Sequence, residues 1–135
     1  MATVHSPWFA QYEAIYRPAT AAIIRGGGGI PVDEVSAARH GRRALRAELE
    51  GAMADAGIDL WVCPPARRTA PPGIHATGNP IMNLPWTHAG LPALTVPAGF
   101  DADNLPYGLQ CVAAFGADER LLAWAGPLAD ALHDA

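Results

Sequence analysis

The sequence predicts an α/β fold, a small mixed sheet of about three strands flanked by about three helices, on three observations. The chain has 135 residues, 50% of them hydrophobic and only 16% charged. That composition suits a folded single domain over residues 1–135 rather than a disordered chain. Apolar residues recur at helical spacing up to Gly57, which marks residues 8–57 as a helical segment. Beyond it, nine of the thirteen prolines lie between Pro64 and Pro106 and punctuate short apolar runs of strand type, until helical periodicity returns at Asp118.

Taken in order, Ser6 to Arg25 reads as a helix with Trp8, Tyr12, Ile15 and Tyr16 on one face, interrupted or ended by Pro18. Gly26 to Gly29 lacks a preceding strand and any phosphate-cradle spacing, so a flexible turn is expected. Asp33 can cap a long helix to about Ala56, with Val35, Ala38, Leu45, Leu49, Ala52, Met53 and Ala56 on its buried stripe and Gly57 as its stop. Arg39, Arg42, Arg43 and Arg46 fall mostly on other faces and are expected in solvent. Ile58 to Cys63 is a short strand stopped by Pro64 and Pro65, and residues 66–78 form a loop. Asn79 to His88 reads as one or two irregular helical turns interrupted by Pro80 and Pro85. Ala93 to Val96 is a second strand ended by Pro97 and Gly99, and Tyr107 to Ala114 a third, paired with the second across a turn at Asp101–Asn104. Asp118 caps a final helix whose inward face is Leu121, Leu122, Ala125, Leu128 and Leu132.

Charge and residue usage exclude several functions. A net charge of −4 supplies no basic stripe for nucleic acid. No apolar run approaches the roughly 20 residues that span a bilayer, so no membrane partner is expected and the cytoplasm is the default location. All nine basic residues are Arg, Lys is absent, and Ser6 and Ser36 are the only serines. Cys63 and Cys111 sit in apolar runs without CxxC spacing and read as buried free thiols. His5, His40, His75, His88 and His133 show no ligand spacing, so neither a metal nor a cofactor is expected. Gln110, an amide in an apolar strand, must be hydrogen-bonded, most simply to a neighbouring loop.

Residues 58–133 then show five motifs in order: Ile58-Asp59-Leu60-Trp61-Val62-Cys63-Pro64, Ala76-Thr77-Gly78-Asn79-Pro80, Gly90-Leu91-Pro92-Ala93-Leu94-Thr95-Val96-Pro97-Ala98-Gly99, Leu105-Pro106-Tyr107-Gly108-Leu109-Gln110 and Asp118-Glu119-Arg120-Leu121-Leu122. This segment resembles the C-terminal third of the amidase signature enzymes, and with the preceding helix the likeness covers about residues 10–133. The resemblance implies hydrolysis or transfer of carboxamides by a Ser, a second Ser in a cis peptide and a Lys. The chemistry needs a hydroxyl activated by a base and donors for the oxyanion. Without Lys, and with two serines on helix-like segments lacking Gly-rich flanks, the catalytic portion of that architecture is absent and no catalytic residue is assigned. The resemblance places Thr77, Pro80, Ile81 and Leu84 along the acyl or leaving-group side of a pocket for a small amide, with Trp86 and Thr87 as weaker candidates that serve equally well as packing anchors. The turns Gly90–Pro92 and Pro97–Gly99 read mainly as structural.

Two functions follow. The chain is a truncated, C-terminal amidase-type segment that lines the substrate pocket of a carboxamide hydrolase and needs a complementing N-terminal amidase chain for its nucleophile. Alternatively it is a repurposed stand-alone module, either a small-molecule-binding protein or a small enzyme using groups such as His75, His88, Asp59 or Cys63. Three strands with few covering helices would leave Trp61, Leu94, Val96, Leu109 and Val112 partly in water, which predicts a homo-oligomer, a dimer through the sheet or the helix from Asp33 to Ala56.

Overall fold

The computed structural model describes residues 1–133, which divide into two compact units at the junction of Gly41 and Arg42. In the first unit, α1 (Ala2–Tyr12) runs into a single 3-10 turn at Glu13–Ile15, and α2 follows at Pro18–Gly28. The one helix expected over Ser6–Arg25 is therefore two. Pro18 is the reason: it disfavours helical geometry in the residue before it, and Arg17 is extended with ψ 140°. It then starts α2, where its missing N–H would have had no partner anyway. Trp8, Tyr12 and Ile15 are exposed rather than forming a buried face, and the buried side chains of this unit are Ala21 and Ile24. Tyr16 donates to or accepts from His5 Nδ1 at 3.0 Å and meets Phe9 edge to face. Gly26 to Gly28 belong to the last turn of α2 rather than to a loop.

The longest helix, α3 (Val32–Ala56), starts one residue before Asp33. Asp33 therefore sits with Glu34 inside the first turn, where carboxylates favour the helix N-terminus, and is not the cap. It ends before Gly57, as its sequence indicates, but of its expected stripe only Met53 is buried and Leu45 and Leu49 are half-buried, while Val35, Ala38, Ala52 and Ala56 are exposed.

The second unit is built on a sheet of β1 (Trp61–Cys63), β2 (Ala93–Phe100) and β3 (Pro106–Val112) in the order β1-β3-β2. Three strands are as expected. Both pairings are antiparallel, because β2 and β3 form a hairpin and β1 joins the far edge of β3. Among the described residues there are five α-helices where about three were expected, since the first divides at Pro18 and the turns after Pro80 close into α4 (Leu84–Ala89). Proline does not end β2 at Val96. The strand runs on through Pro97, tolerated because β2 is an edge, and an irregularity between Pro97 and Gly99 absorbs the extra residue.

Two apolar clusters lie on the two faces of this sheet. On one face Val112 packs with Ala89 and Leu91, flanked by Leu45, Leu49, Trp61 and Trp86. On the other, Cys111 and Ala113 pack with Leu121 of α5 (Asp118–His133), flanked by Leu94, Leu109 and Leu128. Alternation along β3 sends Leu109 and Cys111 to one side and Gln110 and Val112 to the other. Burying a side chain such as Leu121 contributes roughly 1.5–3 kcal/mol. Leu122, expected on the inward face of α5, is exposed. Val96 and Val112, expected partly in water, are buried within the chain.

Two arginines expected in solvent are structural. Nε of Arg42 donates to the His88 carbonyl and Nε of Arg46 to the Ala89 carbonyl, both at 2.8 Å, satisfying orphan acceptors at the C-terminus of α4. Gly90 ends that helix at φ 74°, and a Cβ there would lie 2.9 Å from an Arg46 guanidinium nitrogen. The Arg46 guanidinium also stacks 3.5 Å above the Phe115 ring.

Candidate functional site

Strand register places Cys63, Gln110 and Thr95 in one row across the sheet, on the same face as Trp61 and Val112 but one step further along. That face therefore passes from apolar to polar within two residues. Gln110 is buried, and its amide is satisfied at both ends: Nε2 donates to Asn83 Oδ1 at 2.6 Å and Oε1 accepts from Cys63 Sγ at 3.3 Å. Nδ2 of Asn83 in turn donates to the Pro65 carbonyl at 3.2 Å. The expected loop partner of Gln110 is thus the segment between Pro80 and Pro85. One chain of hydrogen bonds ties β1, β3, the approach to α4 and the start of the proline loop.

Above this row opens a cleft of about 1100 Å³. Thr95, Tyr107 and Gly108 form its strand wall and the loop Pro64–Pro72 its loop wall, and Thr77, Asn79, Pro80 and Asn83 also line it. Gly108 is bare backbone by necessity, since a Cβ there would lie 2.6 Å from Thr95 Cγ2 and 2.8 Å from the Val96 carbonyl oxygen. The loop wall is fastened by Thr69, whose hydroxyl donates to Asp101 Oδ2 at 2.6 Å. The other oxygen of Asp101 accepts from the N–H groups of Asp103 and Leu105, each at 2.9 Å, closing the β2–β3 turn. The Thr69 hydroxyl above all, and then the Leu105 N–H, hold the Asp101 carboxyl below its ordinary value.

Of the candidate site residues, Thr77 and Pro80 lie in the lining of this cleft. Ile81 and Leu84 are exposed outside the cleft, and Thr87 is exposed on α4. Trp86 packs against the cluster of Ala89, Leu91 and Val112, the anchor role its sequence context allowed. Asn83, Thr95 and Tyr107 join the lining without having been expected there. Asn83 was legible in principle, because a buried Gln110 demands a polar partner and Asn83 is the amide inside the nearest proline-bounded segment.

Cys63 and Cys111 are free thiols, half-buried and buried respectively, and burial pushes the Cys111 thiol up. Ser6 lies on α1 and Ser36 on α3, and among the described residues neither hydroxyl is hydrogen-bonded to a base. His75, His88, Asp59 and Cys63 make no hydrogen bond or ion pair with one another among the described residues, and no group of three metal-ligating side chains forms there.

A family model described as Amidase matches residues 15–122. The chain belongs to the amidase family. Among curated relatives, a glutamyl-tRNA(Gln) amidotransferase subunit from Synechococcus sp. (strain RCC307) is 39% identical over 88 residues, which cover 60% of this chain and 18% of that protein. The protein of the same name from Thermosynechococcus vestitus is 40% identical over 62 residues, covering 41% of this chain and 13% of that one. The crystal structure of an amidase superposes with a TM-score of 0.82 at 27% identity, over 94% of this chain and 31% of that one. A 6-aminohexanoate cyclic dimer hydrolase follows at 0.67 and 25%, over 82% of this chain and 27% of that one. The chain thus spans less than a fifth of these amidotransferase proteins and under a third of these solved enzymes. Amidase-family membership and the α/β architecture agree with the motifs between Ile58 and Leu122. No helix among the described residues is long and apolar enough to cross a membrane.

Proposed function

We propose that residues 1–135 act as one domain supplying one side of the substrate pocket of a carboxamide hydrolase, with the cleft above Gln110 as that side. The observation that carries the reading is the cleft, which lies between two motif segments of the amidase likeness, Thr77–Pro80 and Tyr107–Gln110, and is lined at both. Thr77 and Pro80 contact the substrate there, and the exposed Ile81, Leu84 and Thr87, with Trp86 behind them, face the remainder of the pocket. The nucleophile and base come from a complementing chain, since Lys is absent from these residues and neither Ser6 nor Ser36 is activated. Exposed apolar side chains such as Val62, Leu84, Phe115 and Leu122 give surface to bury against that chain or, without it, against a second copy.

The test is reconstitution. The chain is mixed with a Gly- and Ser-rich amidase N-terminal part, and ammonia release from simple carboxamides is followed. Activity from the mixture, from neither part alone, supports the reading. Stoichiometric labelling of Ser6 or Ser36 by a fluorophosphonate in the isolated chain would overturn it.

A further inference from the structure

Among the described residues, the only charged ones lining the cleft are Arg67 and Arg68. They are adjacent, both are positive, and neither has a hydrogen-bond, ion-pair or ring partner among the described residues. In a chain of net charge −4 this is not a general cationic coating. Four of the nine arginines are otherwise engaged: Arg25 with Glu13, Arg42 and Arg46 with the end of α4, and Arg120 over the Trp124 ring. A second, smaller depression in the first unit is also lined by charges, Glu13 and Arg25, but these neutralise each other. Asp101, which the cleft residue Thr69 contacts, forms no ion pair with either arginine among the described residues. The lining of the cleft therefore carries two positive charges and no negative one among the described residues.

Their mounting is also particular. Pro64 and Pro65 precede the pair, Pro71 and Pro72 follow it, and Thr69 between them is pinned to Asp101. Four fixed φ angles and one tether reduce the ordering cost of presenting two guanidiniums at the cavity. The rest of the lining is uncharged: Thr77, Asn79, Thr95 and Tyr107 offer polar atoms, and the prolines offer apolar surface. A cleft of about 1100 Å³ has room for more than a bare ion.

We propose that the cleft binds a small organic molecule bearing a carboxylate, with Arg67 and Arg68 taking the carboxylate and Thr77, Thr95 and Tyr107 meeting an uncharged polar remainder. Guanidinium presents paired donors that match a carboxylate, and charge-assisted bonds are the stronger ones. This deepens the reading above, naming the substrate class as amides that also carry a carboxylate, and it is tested by binding, so that the two ideas fail separately.

The experiment is calorimetric titration of the whole chain with succinamate, with succinamide as the neutral analogue and with inorganic phosphate. Succinamate is expected to bind at least about tenfold more tightly than succinamide, and to weaken as salt is raised. Arg67→Gln combined with Arg68→Gln should remove that preference while leaving the melting temperature unchanged, and Arg67→Lys with Arg68→Lys should keep only the part that charge alone supplies. Equal binding of succinamate and succinamide, no binding of succinamate, or full retention of the preference in the Gln variant would overturn the proposal. Phosphate binding as tightly as succinamate would overturn the carboxylate class. Failure of reconstituted amide hydrolysis alone would sink the function proposed above and leave this site standing.

Discussion

The strand wall of the cleft, Thr95, Tyr107 and Gly108, is held by ladder hydrogen bonds and an approach of backbone to side chain too close for a Cβ. The loop wall, Pro64 to Pro72, has no ladder and is held by its prolines, by Thr69 on Asp101 and by Asn83 on the Pro65 carbonyl. A change on the strand wall propagates into the packing of β2 and β3. A change on the loop wall alters mainly what the cleft meets. Loops positioned by a rigid scaffold are where binding preference is commonly set, so the loop wall can vary in ligand chemistry without unfolding the sheet.

The largest effect should come from breaking the strand wall itself. Gly108→Val places side-chain atoms where Thr95 Cγ2 and the Val96 carbonyl already lie, and the carbonyl belongs to the paired strand. Overpacking of this kind costs about 3 kcal/mol, read as a lower denaturant midpoint. A loss under about 1 kcal/mol would show that the strands part cheaply and that the wall is not rigid.

Next is the junction between the walls. Gln110→Met removes the donor to Asn83 and the acceptor of Cys63, leaving polar atoms at a buried site unpaired, at a cost of about 1–3 kcal/mol. Adding Asn83→Leu removes the unpaired Asn83 oxygen, while the Pro65 carbonyl and the Cys63 thiol are left unpaired, so the double variant should be more stable than the sum of the singles predicts. Strict additivity in denaturation would mean that the two amides are not coupled.

How much of this was legible from sequence differs between the two walls. Strand periodicity and the Gly–Pro motifs pointed to β1, β2 and β3 and to the bond that Gln110 must make, because alternation and buried-polar satisfaction are local rules. The stop assigned at Pro97 failed because an edge strand has no ladder N–H to lose there. Arg42 and Arg46 of α3 were misread because their partners, the His88 and Ala89 carbonyls, lie more than 40 residues away and are invisible to helical periodicity. The lining role of Arg67 and Arg68 was equally hidden, since a proline-rich loop carries no period from which direction can be inferred.

A smaller effect, with a sign fixed by titration, is expected at the tether of the loop wall. A carboxyl whose folded-state pKa is lowered stabilises the folded chain above its ordinary value of 3.8, and the gain is lost as pH falls through the folded value. Thr69→Val removes the largest cause of the lowering. The variant should therefore melt below the parent at pH 7, and the gap should shrink as pH falls below 3.8. A gap independent of pH would mean that Thr69 acts through packing and not through Asp101.

The smallest effect on stability should come from Pro71→Ala, and it separates the two walls most cleanly. No ladder hydrogen bond passes through this residue, so the folded state loses little beyond the ring's contacts. The unfolded chain gains conformational freedom, and the cost should be about 0.4–1 kcal/mol, close to that of other proline changes acting through the unfolded state. Binding should respond differently: a looser loop must be ordered when a ligand engages Arg67 and Arg68, so succinamate affinity should fall while any weak affinity for succinamide changes less. A stability loss as large as that of Gln110→Met, with unaltered preference between the two ligands, would show that the loop wall is part of the packed core and that the division between the walls does not hold.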